Sequence, residues 1–93
     1  MNISFPEGPL DYDAEQLALT FPAIADSVSI ECAITAEALE DHFGAASARE
    51  PDLMEAFRAH RSAIEKAAAR LIEETNGAPV TLHSGYIRMY GAR

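Results

Sequence analysis

Residues 16–34 read QLALTFPAIADSVSIECAI, and this stretch decides the fold. Apolar side chains recur there at every second position, a period typical of strands that bury one face. The polar pair Asp26 and Ser27 interrupts the alternation and predicts two strands joined by a short turn, a β-hairpin. Pro22 has no N–H for a ladder, so we expect the first strand to end there or to turn that side toward an edge. The alternating apolar positions are Leu17, Leu19, Phe21, Val28, Ile30, Cys32 and Ile34.

A short helix is predicted directly after the hairpin, over residues 36–43. Thr35 is a suitable N-cap, and Glu37 lies where a carboxylate complements the positive end of the helix dipole. Gly44 accommodates the left-handed conformation that commonly ends a helix. These signals give the helix two defined ends.

A second, longer helix is predicted over residues 51–75. Pro51 suits the first turn of this helix, and Asn76 with Gly77 ends the pattern. The apolar residues between these limits recur at threes and fours and form one stripe, so we expect the helix to pack on the sheet. The stripe comprises Leu53, Met54, Phe57, Ile64, Ala68, Leu71, Ile72 and Thr75.

The C-terminal stretch, residues 79–90, is strand-like. It fits either one strand with a bulge near residue 84 or a second hairpin that turns there, and we adopt the bulged strand. Alternation then places three large side chains on one strand face, a composition enriched at protein interfaces. The candidate interface residues are Tyr86, Arg88 and Tyr90. The alternative is that the tyrosines cover a solvated face of the sheet.

The first fifteen residues, 1–15, are expected to form an irregular N-terminal arm with a possible short edge strand at residues 3–5. The hairpin and the long helix each need a partner surface for their apolar sides. The sequence therefore predicts a two-layer α+β fold. Its antiparallel sheet has three to four strands, from the N-terminal hairpin and the C-terminal strand, and one short and one long helix pack on one face. We expect residues 1–93 to form a single domain.

Charge excludes several classes of function. The chain of 93 residues carries seven Lys and Arg against fifteen Asp and Glu, a formal net charge of −8. This excess of carboxylates opposes binding to nucleic-acid phosphates and to anionic membranes. The N-terminus lacks a basic region followed by an apolar stretch, and no apolar run reaches the length of a membrane span. We therefore expect a cytoplasmic protein that contacts no membrane and does not use nucleic acid as its main partner.

Signals for catalysis and metal binding are weak. Cys32 is the only cysteine, which excludes an internal disulfide, and its place in an Ile-x-Cys-x-Ile strand predicts a buried side chain rather than a reactive thiol. The spacing of His42, His60 and His83 matches no metal-ligand pattern. We therefore expect no enzymatic activity, no metal and no cofactor.

Arg61 is the most unusual residue of the sequence. A helical wheel of about 100° per residue places it at the margin of the apolar stripe of the long helix, with His60 nearby. A buried guanidinium without a partner costs several kcal/mol, so Arg61 requires a carboxylate, solvent or another chain. Its candidate partners are Glu65, one turn on, and Glu37, Glu40 or Asp41 of the short helix.

The group around this arginine, called here the arginine cluster, has two interpretations. One is a structural ion pair that holds the short helix on the long one. The other is a binding site for an anionic ligand or an acidic peptide. The cluster comprises Arg58, His60, Arg61, Glu65 and Glu37.

Three pieces of the chain carry a family resemblance. They are Phe21-Pro22-Ala23, residues 30–39 (IECAITAEAL), and residues 57–61 (FRAHR), which Ile64-Glu65 follows. In this order and spacing they resemble a family of small bacterial proteins known as domain of unknown function 1488, over roughly residues 21–72. The resemblance implies a compact α+β protein of the bacterial cytoplasm, and it implies no established activity, ligand or catalytic residue.

The expected function is contact with other proteins. We expect a non-enzymatic module that forms a homodimer. Binding to a second, unidentified protein is also compatible with the sequence. The alternative is a small-ligand binding module that holds an anionic metabolite at Arg58, His60 and Arg61.

Overall fold

The structure, a computed structural model, describes residues 1–90 and contains one five-stranded sheet and four helices within them. The α+β class predicted from the sequence is confirmed. β3 lies between β4 on one side and β1 with β2 on the other, and β5 pairs with the outer side of β4. The elements are β1 (Ile3–Ser4), β2 (Asp11–Asp13), β3 (Ala18–Ala25), β4 (Val28–Thr35), α1 (Ala36–Phe43), α2 (Glu50–Ala59), α3 (Arg61–Glu74), β5 (Val80–Leu82) and α4 (Ser84–Tyr90).

The predicted hairpin is confirmed as β3 and β4. These strands pair antiparallel, and Ala25 lies opposite Val28 next to the turn. Asp26 and Ser27 form the turn with φ values of 49° and 71°. Positive φ at both central residues is what a two-residue type I′ turn requires, and the twist of that turn matches the twist of the strands.

Pro22 lies inside β3 rather than at its end. In an antiparallel ladder, hydrogen-bonded and non-hydrogen-bonded pairs alternate, and a two-residue turn closes on a hydrogen-bonded pair. This alternation directs the nitrogen of Pro22 away from β4. On that side β1 pairs with Ile24 and Ala25, and β2 pairs with residues 18–20. Pro22 therefore faces the gap between β1 and β2, where the missing N–H costs no ladder hydrogen bond.

The sheet differs from the predicted one in two respects. The N-terminal arm is more regular than expected, because it supplies two short strands to β3 instead of at most one. The sheet is also mixed rather than antiparallel, since β5 runs parallel to β4, with Cys32 opposite Val80. The chain crosses over through three helices between these strands, and a crossover connection is what parallel neighbours need.

The short helix α1 has the bounds that its capping residues predict. The hydroxyl of Thr35 accepts a hydrogen bond from the N–H of Ala38 at 3.1 Å. Gly44 ends the helix with φ 74°, and its N–H donates to the carbonyl of Leu39. Local capping chemistry thus suffices to define this helix.

The prediction of one helix over residues 51–75 is wrong, because the chain breaks into α2 and α3 at His60. His60 has φ −123° and ψ 27°, outside helical values, and its N–H is shared between the carbonyls of Ala56 and Phe57. Neither glycine nor proline marks the break in the sequence. The His60 ring lies 5.4 Å from the ring of Phe43, so a tertiary contact with α1 accompanies the break.

The predicted C-terminal strand is wrong beyond residue 82, since residues 84–90 form α4. The first turn of this helix is built by the N–H of Ile87, which donates to the carbonyl of His83 at 3.2 Å. Ser84 and Ile87 are buried, and α4 packs against α1. Packing on a neighbouring helix therefore overrides the strand preference of the tyrosines and Ile87.

The core lies on one face of the sheet, under α1, α2 and α3. Alternation along β3 and β4 directs Leu19, Phe21, Cys32 and Ile34 into it, and the helices add their apolar stripes. The opposite side of the sheet contributes no member to this core and is called here the uncovered face. The largest fully buried side chains are Phe57, Leu19, Ile34, Leu39, Leu53, Ile64, Ile72, Leu82 and Cys32.

Candidate functional site

Arg61 lies at the rim of the core rather than inside it. Its Nε donates to Glu65 Oε2 at 2.9 Å, and the two side chains are 38% and 24% exposed. The guanidinium carbon lies 5.5 Å from the ring centroid of Phe57, which is fully buried. The cation therefore covers an aromatic ring with one face and meets a carboxylate and water with the rest, so it needs no partner from another helix.

The other members of the arginine cluster do not join this ion pair. Arg58 is exposed in the last turn of α2, and His60 is exposed at the break between the helices. Glu37 is exposed in the first turn of α1. Between residues 1 and 90, Arg61 forms its only salt bridge with Glu65. The structure thus places Arg61 with the nearer of the expected carboxylates and leaves the short helix out of the pair.

The candidate interface residues lie on a helix and not on a strand face. Tyr86 and Tyr90 are one turn apart on α4, with ring centroids separated by 5.1 Å. Arg70 of α3 lies over the Tyr90 ring at 4.7 Å and bonds Glu74, whose carboxylate accepts a hydrogen bond of 3.4 Å from the Tyr86 hydroxyl. Arg88 lies on another side of the same helix and is exposed.

Ser84, Asp41 and His42 form a polar cluster that sequence reasoning missed. The Ser84 hydroxyl donates to Asp41 Oδ2 at 2.7 Å. His42 Nε2 lies 3.1 Å from both the hydroxyl and the carbonyl oxygen of Ser84. Asp41 and His42 stand at the end of a predicted helix, but Ser84 lies 42 positions beyond His42, and no local pattern connects them.

The direction of the hydrogen bonds in this cluster defines its chemistry. The carbonyl oxygen of Ser84 only accepts, so His42 Nε2 carries a hydrogen and donates it. The proton of the Ser84 hydroxyl points to Asp41 rather than to the imidazole. A serine activated for attack needs the reverse, with a ring nitrogen that accepts the hydroxyl proton. This arrangement joins α1 to α4 and does not activate Ser84.

The uncovered face of the sheet carries two shallow depressions that share Glu31. The first, of about 190 Å³, is lined by residues of β2, β3 and β4 together with Pro9. The second, of about 210 Å³, lies between β4 and β5 beside Gln16 and Pro79. The residues of the uncovered face, from the register and the depressions, are Asp11, Thr20, Pro22, Ser29, Glu31, Ala33 and Thr81.

Cys32 is a buried thiol on the core side of β4. Burial, with a smaller contribution from the charge of Glu31, raises its pKa from 9.0 to about 12. The thiol is therefore protonated at neutral pH and lacks the thiolate that reactive cysteines require.

Residues 1–90 contain no group of three or more His, Cys, Asp or Glu side chains arranged to hold a metal ion. Among the helices of the same range, none is both long enough and apolar enough to cross a membrane.

Comparison with known proteins identifies relatives of this chain. Residues 3–83 match the model of a family described as protein of unknown function (DUF1488). The chain is also similar to the crystal structure of a protein of unknown function from the DUF1488 family of Shewanella loihica PV-4. The two share 30% sequence identity, with a TM-score of 0.70 and coverage of 86% of this chain and 93% of the other. No match was found among curated proteins.

Proposed function

The chain belongs to the DUF1488 family of proteins of unknown function, and we propose that it is a non-enzymatic module that acts through protein contact and forms a homodimer. The observation that carries this proposal is the outer side of α4. At about 100° per residue, Gly85 and Met89 lie at its centre, Tyr86 and Tyr90 flank them toward α3, and Arg88 flanks them on the other side. This set of residues is called here the α4 surface.

The α4 surface has the composition and the rigidity of an interface. Met89 is 72% exposed and Tyr90 is 43% exposed, although both are large and apolar in part. Tyrosine, methionine and arginine are enriched where proteins meet. Arg70 and Glu74 hold the tyrosine rings in place, so little side-chain entropy is lost when a partner covers them.

Charge favours a second copy of the chain as the partner of this surface. The protein as a whole carries −8, which opposes self-association through most of its exterior. Next to the α4 surface, the two arginines Arg70 and Arg88 balance the two carboxylates that contact this helix, Glu74 and Asp41. Two copies can therefore approach there without the repulsion that acid-rich regions would cause. The family match ends at residue 83, so the matched region does not include the α4 surface.

Light scattering coupled to size exclusion tests the homodimer. At high micromolar concentration we expect the wild-type chain to elute with the mass of a dimer and Met89→Glu to elute as a monomer. Val28→Glu is the matched control, because Val28 is also apolar and exposed, at 59%, but lies at the hairpin turn. A wild-type chain that stays monomeric, or two variants that behave alike, would contradict the proposal.

An anionic-metabolite site at Arg58, His60 and Arg61 is the second candidate function. Arg58 and His60 are exposed at the helix break, which leaves their charged or polar ends accessible to a ligand. The Arg61 guanidinium, however, is already bonded to Glu65. A thermal-shift screen with anionic metabolites tests this alternative, and an Arg58→Gln variant that abolishes a shift would support it over the homodimer.

The cellular location of the protein was not tested by any of these observations, so its location in the cytoplasm stays a prediction.

A further inference from the structure

The charges of this protein are divided unequally along the chain. Residues 1–48 contain nine Asp and Glu and no Lys or Arg, whereas all seven Lys and Arg occur from residue 49 onward. The first segment builds β1 to β4 and α1, and the second builds the remaining helices and β5. Three of the nine carboxylates lie on α1, and the other six belong to the strands β1 to β4 and their loops, so this part of the sheet is acidic and carries no basic side chain.

Two of these carboxylates point from the uncovered face. Asp11 pairs with Thr20, and Glu31 pairs with Pro22, so strand alternation directs both away from the core. Both side chains are exposed, and within the described residues neither takes part in a side-chain hydrogen bond or a salt bridge. They stand on either side of β3, two strand spacings across and two residues along, which places their backbones about 12 Å apart.

The floor between these carboxylates is flat and partly apolar. Thr20 and Pro22 of β3 are half-buried, and Gly8, from the loop between β1 and β2, lies against the edge of the Pro22 ring. Small-molecule sites enclose roughly 300 to 1,000 Å³. The two depressions here measure about 190 and 210 Å³ and are open, which suits single side chains of a larger partner.

From these observations we infer that the uncovered face is a docking surface for a basic protein segment, with an Arg or Lys side chain lying across Thr20 and Pro22 between Asp11 and Glu31. This inference rests on the proposed role in protein contact, but not on the homodimer. Charge complementarity supplies the specificity, because carboxylates on a flat apolar floor fit a guanidinium or ammonium group with an aliphatic stem.

Charge also argues against a second copy at this surface. A symmetric dimer through the uncovered face would bring Asp11 and Glu31 of both chains together. Like charges placed in contact across an interface oppose association and suppress that pairing. The homodimer, if it forms through α4, leaves the uncovered face accessible.

A defined basic peptide tests this docking surface. The probe is a fluorescein-labelled octapeptide of alternating Arg and Thr, measured by anisotropy at low salt against full-length protein. Replacement of both acceptors, in Asp11→Asn with Glu31→Gln, is expected to weaken binding about tenfold, since each exposed pair contributes modestly. The matched control is Glu55→Gln with Glu73→Gln, which changes the net charge equally on exposed sites of α2 and α3. It is expected to weaken binding less than about twofold.

Backbone amide shifts in NMR spectra locate the peptide. We expect shifts at Thr20, Glu31 and Thr81 and none along α3. Equal weakening in both double variants would mean attraction by net charge alone and would overturn the inference, as would shifts confined to the helices. Concentration-dependent shifts on the uncovered face without peptide would assign that face to a second copy instead. If Met89→Glu remains a dimer, that result contradicts the homodimer through α4 and leaves the docking surface unaffected. The two proposals can therefore be contradicted independently.

Discussion

The hydroxyl of Ser84 donates a hydrogen bond of 2.7 Å to Asp41 Oδ2, which ties the first turn of α4 to the last turn of α1. The serine is 5% exposed and Asp41 is exposed, so the bond is shielded from competing water on the serine side. His42 adds a donor to the Ser84 carbonyl oxygen on the same side. The position of the α4 surface therefore depends on a polar contact between residues that are distant in sequence.

We predict that Ser84→Ala lowers the free energy of unfolding by about 1 to 2 kcal/mol, because a hydrogen bond to a charged group is lost and Asp41 loses a shielded donor. Urea denaturation followed by circular dichroism measures this change. Ser62→Ala, at an exposed position of α3, is the control and is expected to be neutral or slightly stabilising, since alanine favours helix. Equal stability of the two variants would show that the contact with Asp41 contributes nothing.

Ser27→Gly is predicted to stabilise the hairpin by about 0.5 to 1 kcal/mol, since glycine adopts positive φ without steric cost. Ser27 has φ 71° in the turn between β3 and β4. Asp26 is better retained, because its side chain accepts a hydrogen bond from the N–H of Asn2 at 2.9 Å. Thermal unfolding measures the gain. Ser29→Gly, two residues on in β4, removes a strand side chain and should lower the melting temperature; a lower value for Ser27→Gly as well would contradict the turn assignment.

Elements with local signals could be predicted from the sequence. The hairpin follows from period-two alternation around Asp26 and Ser27, and α1 follows from Thr35 and Gly44, which cap its two ends. In each case the deciding interactions join residues a few positions apart. Sequence patterns record such interactions directly.

Elements that depend on distant contacts were not predictable in the same way. The break at His60 has no glycine or proline and coincides with the contact between its ring and Phe43. Residues 84–90 have strand-like composition, but Ser84 meets Asp41 and the segment becomes helical. The helical wheel nevertheless placed Arg61 near the correct margin of the core, because Arg61 lies one turn after Phe57. The wheel did not decide which carboxylate pairs with Arg61.

Tyr86 is predicted to titrate at a lower pH in Glu74→Gln. Burial, and next the charge of Glu74, raise the pKa of the Tyr86 phenol above its ordinary value of 10.0. Removal of the carboxylate leaves the burial in place, so the pKa should fall only part of the way. Carbon-13 NMR of the ring measures each tyrosine separately. Glu73→Gln changes the neighbouring exposed carboxylate and should leave Tyr86 unchanged; an equal fall in both variants would indicate a general charge effect.

Cys32 is predicted to be unreactive in the folded protein. The thiol is fully buried, and burial together with the charge of Glu31 raises its pKa to about 12. Ellman's reagent should therefore modify Cys32 at pH 8 only as fast as the protein unfolds, and urea should accelerate the reaction strongly. Rapid labelling without denaturant would contradict the buried position.

The same thiol makes stability depend on alkaline pH. The folded protein holds the Cys32 proton more tightly than the unfolded chain, whose thiol titrates near its ordinary 9.0 against about 12 when folded. The contribution of this group is thus fully present below pH 9 and is lost as the pH rises toward 12. The free energy of unfolding falls by about 1.4 kcal/mol per pH unit in that interval. Cys32→Ala removes the titrating group, so the wild-type minus variant difference in free energy, measured by urea denaturation, should decline from pH 9 upward. A difference that stays constant with pH would mean that the thiol ionises as readily in the folded protein as in the unfolded chain.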